Sequence, residues 1–478
     1  MKTLEVDVAI IGAGSAGLNA RREVVRAGKS WVMIDGGPLG TTCARVGCMP
    51  SKLLIAAADA AHEAKHAHHF GVHIDEGAID LRTEEIFGRV RAERDRFSGF
   101  VVESIDDLDQ TRVLRDWARF EDLNTLIVGD HTRVKAGAVV LATGSTPFIP
   151  PVFDDIREDV MINDDVFELE EIPTKLAVIG AGVIGLELGQ SLGRLGSEVH
   201  CYNINDQVGF FNDPVILEHA RADLGEEIDF HFSANITKTS KTDAGLQIDW
   251  TDADGDHSET FSHVLVAAGR RPNLTGFGLE DLDVPRDERG RPVWLECTTQ
   301  VGELPLFIAG DASGHRPLLH EASDEGRIAG RNAANFPDIQ RSMRRTGLAI
   351  AFTTPQMAIV GKGWRELDED KIAIGEVSYR NQGRARVMLE NKGHVRLYAD
   401  RDSCRLIGGE LFGPRVEHTA HLLSWAIQQG MRVPEILRMP FYHPVVEEGI
   451  RTALRDLAKK LRVEGNCPPE DFALSPGR

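Results

Sequence analysis

Two cysteines, Cys43 and Cys48, stand five positions apart in the run Cys43-Ala44-Arg45-Val46-Gly47-Cys48-Met49-Pro50-Ser51-Lys52. They are the one close pair among six cysteines in 478 residues. So few cysteines exclude a secreted disulfide scaffold, and residues 1–7 run into a strand with no apolar signal core before it, so a cytoplasmic location is expected. In a reducing compartment a close pair calls for redox, catalytic or metal chemistry. On one regular helix, positions five apart would hold their Cα atoms roughly 8–9 Å apart, beyond the ~7 Å reach of a disulfide. A bridge therefore needs an irregular backbone, which Gly47 and Pro50 are expected to supply. A bridge closed over a short distorted turn should be readily reduced. A helix is expected over residues 53–70, ended by Gly71. Cys48, near its N-terminus, should feel the positive helix end and hold a stabilised thiolate.

Exchange between thiols and disulfides needs a base, because the thiolate is the nucleophile. Of 17 histidines, His443 stands out: Pro444 fixes its backbone, and Glu448 lies about a turn further on to orient the ring. Spacing alone does not say whether it meets cysteines so far upstream. No metal site is expected. The C-x4-C pair has no second Cys/His pair at zinc spacing nearby, and His62, His66, His68, His69 and His73 read as a solvated helix face.

Elements must hold these groups in place, and the clearest are two copies of one pattern. Residues 6–11 form a β-branched run that leads into Gly12-Ala13-Gly14-Ser15-Ala16-Gly17, a helix to Ala27, and a strand over 31–34 ending in Asp35. The order returns as residues 176–179, Gly180-Ala181-Gly182-Val183-Ile184-Gly185, a helix to Leu195, and a strand over 199–202 closed by Asn203. The spans match, since 35 − 12 and 203 − 180 are both 23. Glycines permit the turn and close approach of a pyrophosphate, the helix N-terminus supplies positive potential, and a strand-end acid takes a ribose hydroxyl. Two dinucleotide folds are expected. The stretches 139–147, with Thr143 and Gly144, and 264–273, with Gly269, read as strands closing each fold. Residues 306–311 form another apolar strand ending in Asp311, and a long helix opens near Leu319. Beyond about residue 345 the pattern is strand-rich and ends in an amphipathic helix carrying Ile450, Leu454, Leu457 and Leu461. The last dozen residues read as a frayed tail.

Composition narrows the partners. With 54 Lys+Arg against 74 Asp+Glu the net charge is −20, which disfavours nucleic acid. The longest run of apolar residues and glycine, 176–186, falls short of the ~18–20 residues of a membrane helix, so a soluble protein is expected.

Taken together, the C-x4-C-x-P-S-K block at 43–52, Gly-Val-Ile-Gly-Leu-Glu at 182–187, Ala309-Gly310-Asp311, and His443-Pro444 with Glu448 resemble the flavin-dependent pyridine nucleotide–disulfide oxidoreductases, most closely their dihydrolipoyl dehydrogenase branch. The resemblance implies an α/β protein: an FAD-binding domain over 1–147 and 274–344, an NAD(P)-binding domain over 148–273, and an α+β dimerisation domain over 345–478. It implies that Gly12, Gly14, Gly17 and Asp35 hold the ADP half of FAD, with Thr42, Lys52, Ala118, Thr143, Gly144, Asp311 and Leu319 along the rest. Lys52 and Glu187 would pair beside the flavin. Gly180, Gly182, Gly185, Asn203 and Gly269 would shape the nicotinamide-dinucleotide site. Cys48 would face the flavin, and Cys43 would exchange with a dithiol. An obligate homodimer would bring His443 to the partner chain's pair. Asn203 replaces the usual acid, yet no arginine between Glu198 and Gly209 would hold a 2′-phosphate, so NAD is expected rather than NADP. The implied reaction moves electrons between NAD(H) and a lipoyl dithiol, in association with a 2-oxo-acid dehydrogenase complex. Ala44, Arg45 and Tyr442 depart from the family's usual residues on the substrate side. That leaves open a related disulfide reductase or an NADH:acceptor flavoprotein reductase.

Overall fold

The computed structural model describes residues 1–464 and divides into two compact units, each discontinuous in sequence. The first comprises residues 1–53, 87–148 and 269–344; the second comprises 54–86, 149–268 and the chain from 345 onward. The terminal stretch expected to fray, with Cys467, lies outside the described residues.

With strands numbered along the chain, the first unit is built on a sheet whose centre is parallel. There β1 (Lys2–Ile11) lies between β2 (Trp31–Ile34) and β6 (Thr132–Leu141), and β3 (Val113–Leu114) flanks β2. The antiparallel β4 (Ala118–Asp122) and β5 (Thr125–Val128) continue from the first half of β6, while β16 (Leu306–Ile308) pairs with its last residues. Val8, Ala9, Ile10, Val32, Met33 and Ile34 are fully buried, so these strands read as continuous apolar runs, as parallel strands covered on both faces must. One covering layer pairs helix Ser15–Arg26 with helix Leu319–Asn335. A Cβ on Gly326 or Gly330 would lie 2.2 Å from the carbonyl oxygen of Ala16 or Ala20 respectively, so the two helices touch backbone to backbone. A short ribbon of β7 (Ser145–Pro147) and β15 (Arg270–Pro272) joins two segments that sequence spacing left separate.

In the second unit, β8 (Lys175–Ile179), β9 (Glu198–Asn203), β10 (Asp229–Phe232) and β14 (His263–Val266) form a parallel sheet ordered β10-β9-β8-β14. An antiparallel sheet follows from β11 (Asn235–Thr242), β12 (Gly245–Asp252) and β13 (Gly255–Phe261). The C-terminal part folds as β17 (Leu348–Ala351), β18 (Gln356–Gly361), β19 (Ile372–Ser378), β20 (His394–Asp400) and β21 (Leu406–Gly413). These five strands form one antiparallel sheet ordered β17-β18-β21-β20-β19. Helix Glu447–Glu464 covers it, burying Ile450, Leu454, Leu457 and Leu461 at the expected spacing. The fold class is thus mixed α/β with an α+β C-terminal part. No described helix is long and apolar enough to cross a membrane.

Helix Cys48–His66 begins five residues before the expected start at Leu53 and gives way to a 3-10 turn over Ala67–Phe70 before Gly71. The residues of its second-unit part are clamped by Arg194, whose side chain is 5% exposed. Its guanidinium meets Glu227 at 2.7 and 2.9 Å and Asp59 at 2.5 Å, while Lys65 Nζ donates to the Arg194 carbonyl at 3.1 Å.

The two glycine loops share one geometry. Gly12 and Gly180 take φ of +108° and +109°, and added Cβ atoms would lie 2.2 Å from Ala142 O and 2.6 Å from Ala267 O. Cβ atoms on Gly17 and Gly185 would lie 1.9 and 2.1 Å from the carbonyl oxygens of Gly12 and Gly180. Helix propensity favours Ala over Gly by about 1 kcal/mol, whereas overpacking against backbone opposes it by about 1–3 kcal/mol or more. The overlap should win: Gly17→Ala and Gly185→Ala lower the melting temperature, while Gly14→Ala and Gly182→Ala, whose Cβ atoms meet nothing within 4 Å, do not. Thermal melts of the four variants check this ordering.

Candidate active site

Residues Thr42–Val46 form a short helix whose N-cap, Thr41, accepts the Ala44 N–H on its hydroxyl at 3.3 Å. Gly47, at φ −128° and ψ −114°, breaks that helix, and Cys48 opens the next one. The two cysteines thus sit on different helices, and their sulfurs come within hydrogen-bonding reach. Pro50 is not the source of the irregularity. It is the third residue of helix Cys48–His66, where a missing N–H leaves no bond unmade, and the Ser51 N–H already donates to the Gly47 carbonyl at 3.2 Å. Gly47 does the breaking alone. A Cβ there would lie 3.0 Å from Thr42 O and 3.2 Å from the Cys43 Cα.

The hydrogen bond with Cys48 raises the Cys43 thiol far above its ordinary range. Burial and the negative charge of Cys48 act in the same direction, and the Lys52 ammonium opposes them. The thiol of Cys201 is buried in β9 and pushed up to about 12 by that burial, which leaves it inert.

Each glycine loop presents an open cradle. The first and third glycines are packed against backbone, but around the second, Gly14 and Gly182, a Cβ would meet nothing of this chain within 4 Å. These positions open the helices Ser15–Arg26 and Val183–Arg194, so the free N–H groups of the first turn border the same space. A dinucleotide pyrophosphate fits both cradles in shape and charge. At the strand ends the copies differ. The Asp35 carboxylate accepts the Ala13 N–H at 2.7 Å and the Gly37 N–H at 2.8 Å, and Arg115 donates to the carbonyls of Asp35 and Gly37. The Asn203 amide instead donates to Asn205 Oδ1 and Gln207 O, both at 2.9 Å.

The remaining first-unit candidates are tied together by residues that the sequence did not single out for contact. Thr143 Oγ1 donates to the Asn273 carbonyl at 2.6 Å, the Asn273 amide returns a bond to Thr143 O, and the Asn273 N–H donates to Gly144 O. Ser145 donates to Asp311 Oδ2 at 2.8 Å and accepts from Arg270 Nε at 2.9 Å. The neighbouring Gly310 N–H is held by fully buried Glu325, whose carboxyl burial pushes upward while Arg344 pulls it down. Leu319 is the first residue of helix Leu319–Asn335, Ala118 opens β4 in the core, and Thr42 is exposed on the first turn of its short helix. Lys52 Nζ donates to Ser51 Oγ in the first unit. In the second unit Glu187, 4% exposed, accepts the Phe352 N–H at 2.9 Å. Gly269 takes φ of +110° at the start of the return to the first unit.

His443, with its side chain 79% exposed, places Nδ1 2.9 Å from Glu448 Oε2. With Nδ1–H donating to that carboxylate, Nε2 carries the lone pair that takes a proton. Arg451 steadies the other Glu448 oxygen at 3.4 Å, one helical turn on, an i,i+3 pairing readable from sequence but overlooked. The histidines of helix Cys48–His66 and its 3-10 extension stack rather than converge. His62 and His66 lie face to face at 4.0 Å, and His66 Nδ1 turns to the His62 carbonyl.

Residues 6–326 match the family model described as pyridine nucleotide-disulphide oxidoreductase, and residues 348–454 match that family's dimerisation domain. The chain is 32% identical over 468 residues to dihydrolipoyl dehydrogenase 2 of Haloarcula marismortui, covering 94% of this chain and 96% of that protein. It is 30% identical over 452 residues to a mercuric reductase of Streptomyces lividans, covering 92% and 93%. The flavoprotein disulfide reductase RclA of Escherichia coli, solved as a Cu(II) complex, shares the fold with a TM-score of 0.78 at 20% identity, over 95% of this chain and 99% of that one.

Replacing Cys48 by Ser removes the sulfur and the charge that raise Cys43. The pH midpoint for alkylation of reduced Cys43, followed by mass spectrometry, should then move down relative to the wild type. Coinciding midpoints would contradict the coupling.

Proposed function

The chain belongs to the pyridine nucleotide-disulphide oxidoreductases, and we propose that within them it is an NAD-linked dihydrolipoyl dehydrogenase acting through Cys43 and Cys48. The observation that carries this reading is the sulfur pair, brought into contact across the Gly47 break in a chain with two open dinucleotide cradles. Full-length similarity to a protein named for this activity supports it.

In this reading residues 1–147 and 274–344 form the FAD domain, 148–273 the NAD domain, and the part from 345 the dimer interface. Gly12, Gly14, Gly17 and Asp35 hold the ADP half of FAD, the Thr143–Gly144 turn and Asp311 line its middle, and Thr42, Lys52, Ala118 and Leu319 border the rest. Gly180, Gly182, Gly185, Asn203 and Gly269 hold NAD, with Glu187 on the helix that the second glycine loop opens. Bound FAD supplies a two-electron relay between the sulfur pair and the nicotinamide. The chain's own residues manage sulfur and protons. The substrate dithiol attacks the Cys43 sulfur of the oxidised pair, the Cys43–Cys48 bond breaks, and Cys48 leaves as the thiolate. His443 Nε2 takes the proton from the incoming thiol, with Glu448 stabilising the imidazolium. The second substrate sulfur then displaces Cys43, forming the substrate disulfide and leaving the pair reduced by two electrons. Return of those electrons to NAD+ with release of one proton closes the balance. His443 serves the pair of the partner chain in a homodimer, and the soluble dimer docks on a 2-oxo-acid dehydrogenase complex.

A second reading, a related NAD(P)H-dependent disulfide reductase, draws on Asn203, whose uncharged amide does not repel a 2′-phosphate as an acid would. The absence of any arginine between Glu198 and Gly209 favours NAD. The mercuric reductase reading lacks the vicinal cysteine pair in the tail, where Cys467 stands alone in sequence.

Dihydrolipoamide oxidation by NAD+, followed as NADH formation, should be rapid in the FAD-loaded protein and abolished in Cys43→Ser. A wild-type rate no higher than that variant's overturns the reading. His443→Gln should lower kcat by about 10²–10⁴-fold, the usual contribution of a positioned base. Gly182→Val, which fills the second cradle, should raise KM for NAD+ roughly tenfold or more, about 1.4 kcal/mol of binding, with FAD absorbance retained.

A further inference from the structure

At one edge of the second unit's parallel sheet, on β10 and its neighbour β9, imidazoles and carboxylates converge. His200 lies on β9, and Asp229 and His231 on β10, with His200 paired directly to Asp229 in the parallel register. Asp229 and His231, two apart, face the same side of the sheet. Glu259 reaches the group from β13. His200 Nδ1 lies 3.2 Å from His231 Nε2, 3.4 Å from Asp229 Oδ2 and 3.5 Å from Glu259 Oε2, and His231 Nε2 lies 3.6 Å from Asp229 Oδ2.

From this geometry we propose a binding site for a divalent transition metal, of which zinc is the probe, with His200 Nδ1, His231 Nε2 and the Asp229 carboxylate as its protein ligands and water completing the shell. A tetrahedral ion with ligands at about 2.0–2.1 Å sets neighbouring ligand atoms roughly 3.3 Å apart, and the three ligand atoms lie 3.2, 3.4 and 3.6 Å from one another. Contacts of 3.4 to 3.6 Å are by contrast too long for good hydrogen bonds. The outer ring nitrogen of His200 supplies a second, independent argument. His200 Nε2 lies 2.8 Å from Glu198 Oε1, so its hydrogen goes to that carboxylate and Nδ1 is left with a lone pair. This lone pair faces the second imidazole and two carboxylates. A carboxylate that fixes the tautomer of a histidine whose other nitrogen faces more electron-pair donors is the arrangement of metal-ligating histidines. His200 is 8% exposed, its ring meets that of His231 edge to edge within 12° of one plane, and Phe261 packs against it edge-on at 5.5 Å. Lys175 bridges Glu198 and Glu259 from the side, and Tyr202 donates to Glu259, so these carboxylates are held in place before an ion arrives. Two imidazoles and carboxylate oxygens make a donor set suited to zinc. Because the ligands come from β9 and β10, the ion would fasten the edge strand of the parallel sheet to its neighbour.

The test uses the FAD-loaded full chain with Cys43 and Cys48 oxidised, so that the sulfur pair is not a ligand. After chelator treatment the protein is titrated with Zn2+ against a chromophoric chelator, and melting is recorded with and without the ion. One equivalent per chain is expected, with a raised melting temperature and an X-ray absorption spectrum showing two imidazoles. His231→Ala should abolish both binding and the thermal shift, Glu198→Gln should weaken binding roughly 10–100-fold, and His66→Ala should change neither. Retained flavin and circular dichroism report folding of His231→Ala. Should it fail to fold, Asp229→Asn at the exposed edge carries the same readout. Zinc uptake no greater in the wild type than in these variants, or uptake lost with His66→Ala instead, overturns the site.

Discussion

A helix can start within touching distance of the strand that feeds it only where neither carries a side chain in the gap. The carbonyl oxygens of Gly12 and Gly180 fill that gap in the two nucleotide folds, and the absent Cβ atoms of Gly17 and Gly185 make room for them. Both nucleotide cradles of the candidate site descend from this approach. It aims the helix N-termini at the open cradles and leaves the second glycine as the one of the three loop glycines whose added Cβ would meet nothing within 4 Å. The same economy of side chains recurs where Gly326 and Gly330 let helix Leu319–Asn335 lie on helix Ser15–Arg26, which sets the height at which Leu319 opens its helix.

The sulfur pair follows a related rule with opposite emphasis, since there an interruption rather than a close approach is required. Gly47 separates two helical segments, and the second is long and well anchored. Arg194 holds it through Asp59, and Arg194 is itself held bidentately by Glu227. Breaking a buried ionic network of this kind by removing one partner commonly destabilises by about 3–5 kcal/mol. A reactive turn thus opens a firmly held helix, and in the reduced pair the two sulfurs are unequal, because the contact with Cys48 raises the Cys43 thiol.

Much of this was legible in the sequence where the signal is local. Both glycine loops with their flanking strands, the sulfur pair, the strand-rich C-terminal part and the buried stripe of the last helix follow from short-range spacing. His443 and Glu448 were paired correctly for the same reason, five residues being within one side chain's reach. Pro50 was misread because proline is a breaker inside a helix but is indifferent in its first turn, and the early helix start at Cys48 has the same cause. What stayed hidden are partnerships with no sequence period at all. Asn273 meets Thr143 across 130 positions, Arg194 meets Asp59 across 135, and the Ser145–Asp311 bond spans 166. Buried ions and amides of this kind are chosen by tertiary geometry, and nothing in the residues beside them announces a partner.

The two strand ends carry a kinetic consequence. Asp35 spends its carboxylate on the backbone of its own loop, fastening Ala13 and Gly37 while Arg115 braces the carbonyls beyond. Asn203 reaches no glycine-loop amide; its amide hydrogens go to the segment that follows, at Asn205 and Gln207. A ligand on the first loop meets walls already set, gives up little entropy in settling, and dissociates slowly. The second loop lacks that internal fastening, so an occupant there would have to order the loop as it binds, at a cost in affinity that the first loop does not carry. A single loop design, repeated at the same 23-residue interval, is thus preorganised in one copy and left to be ordered by its ligand in the other.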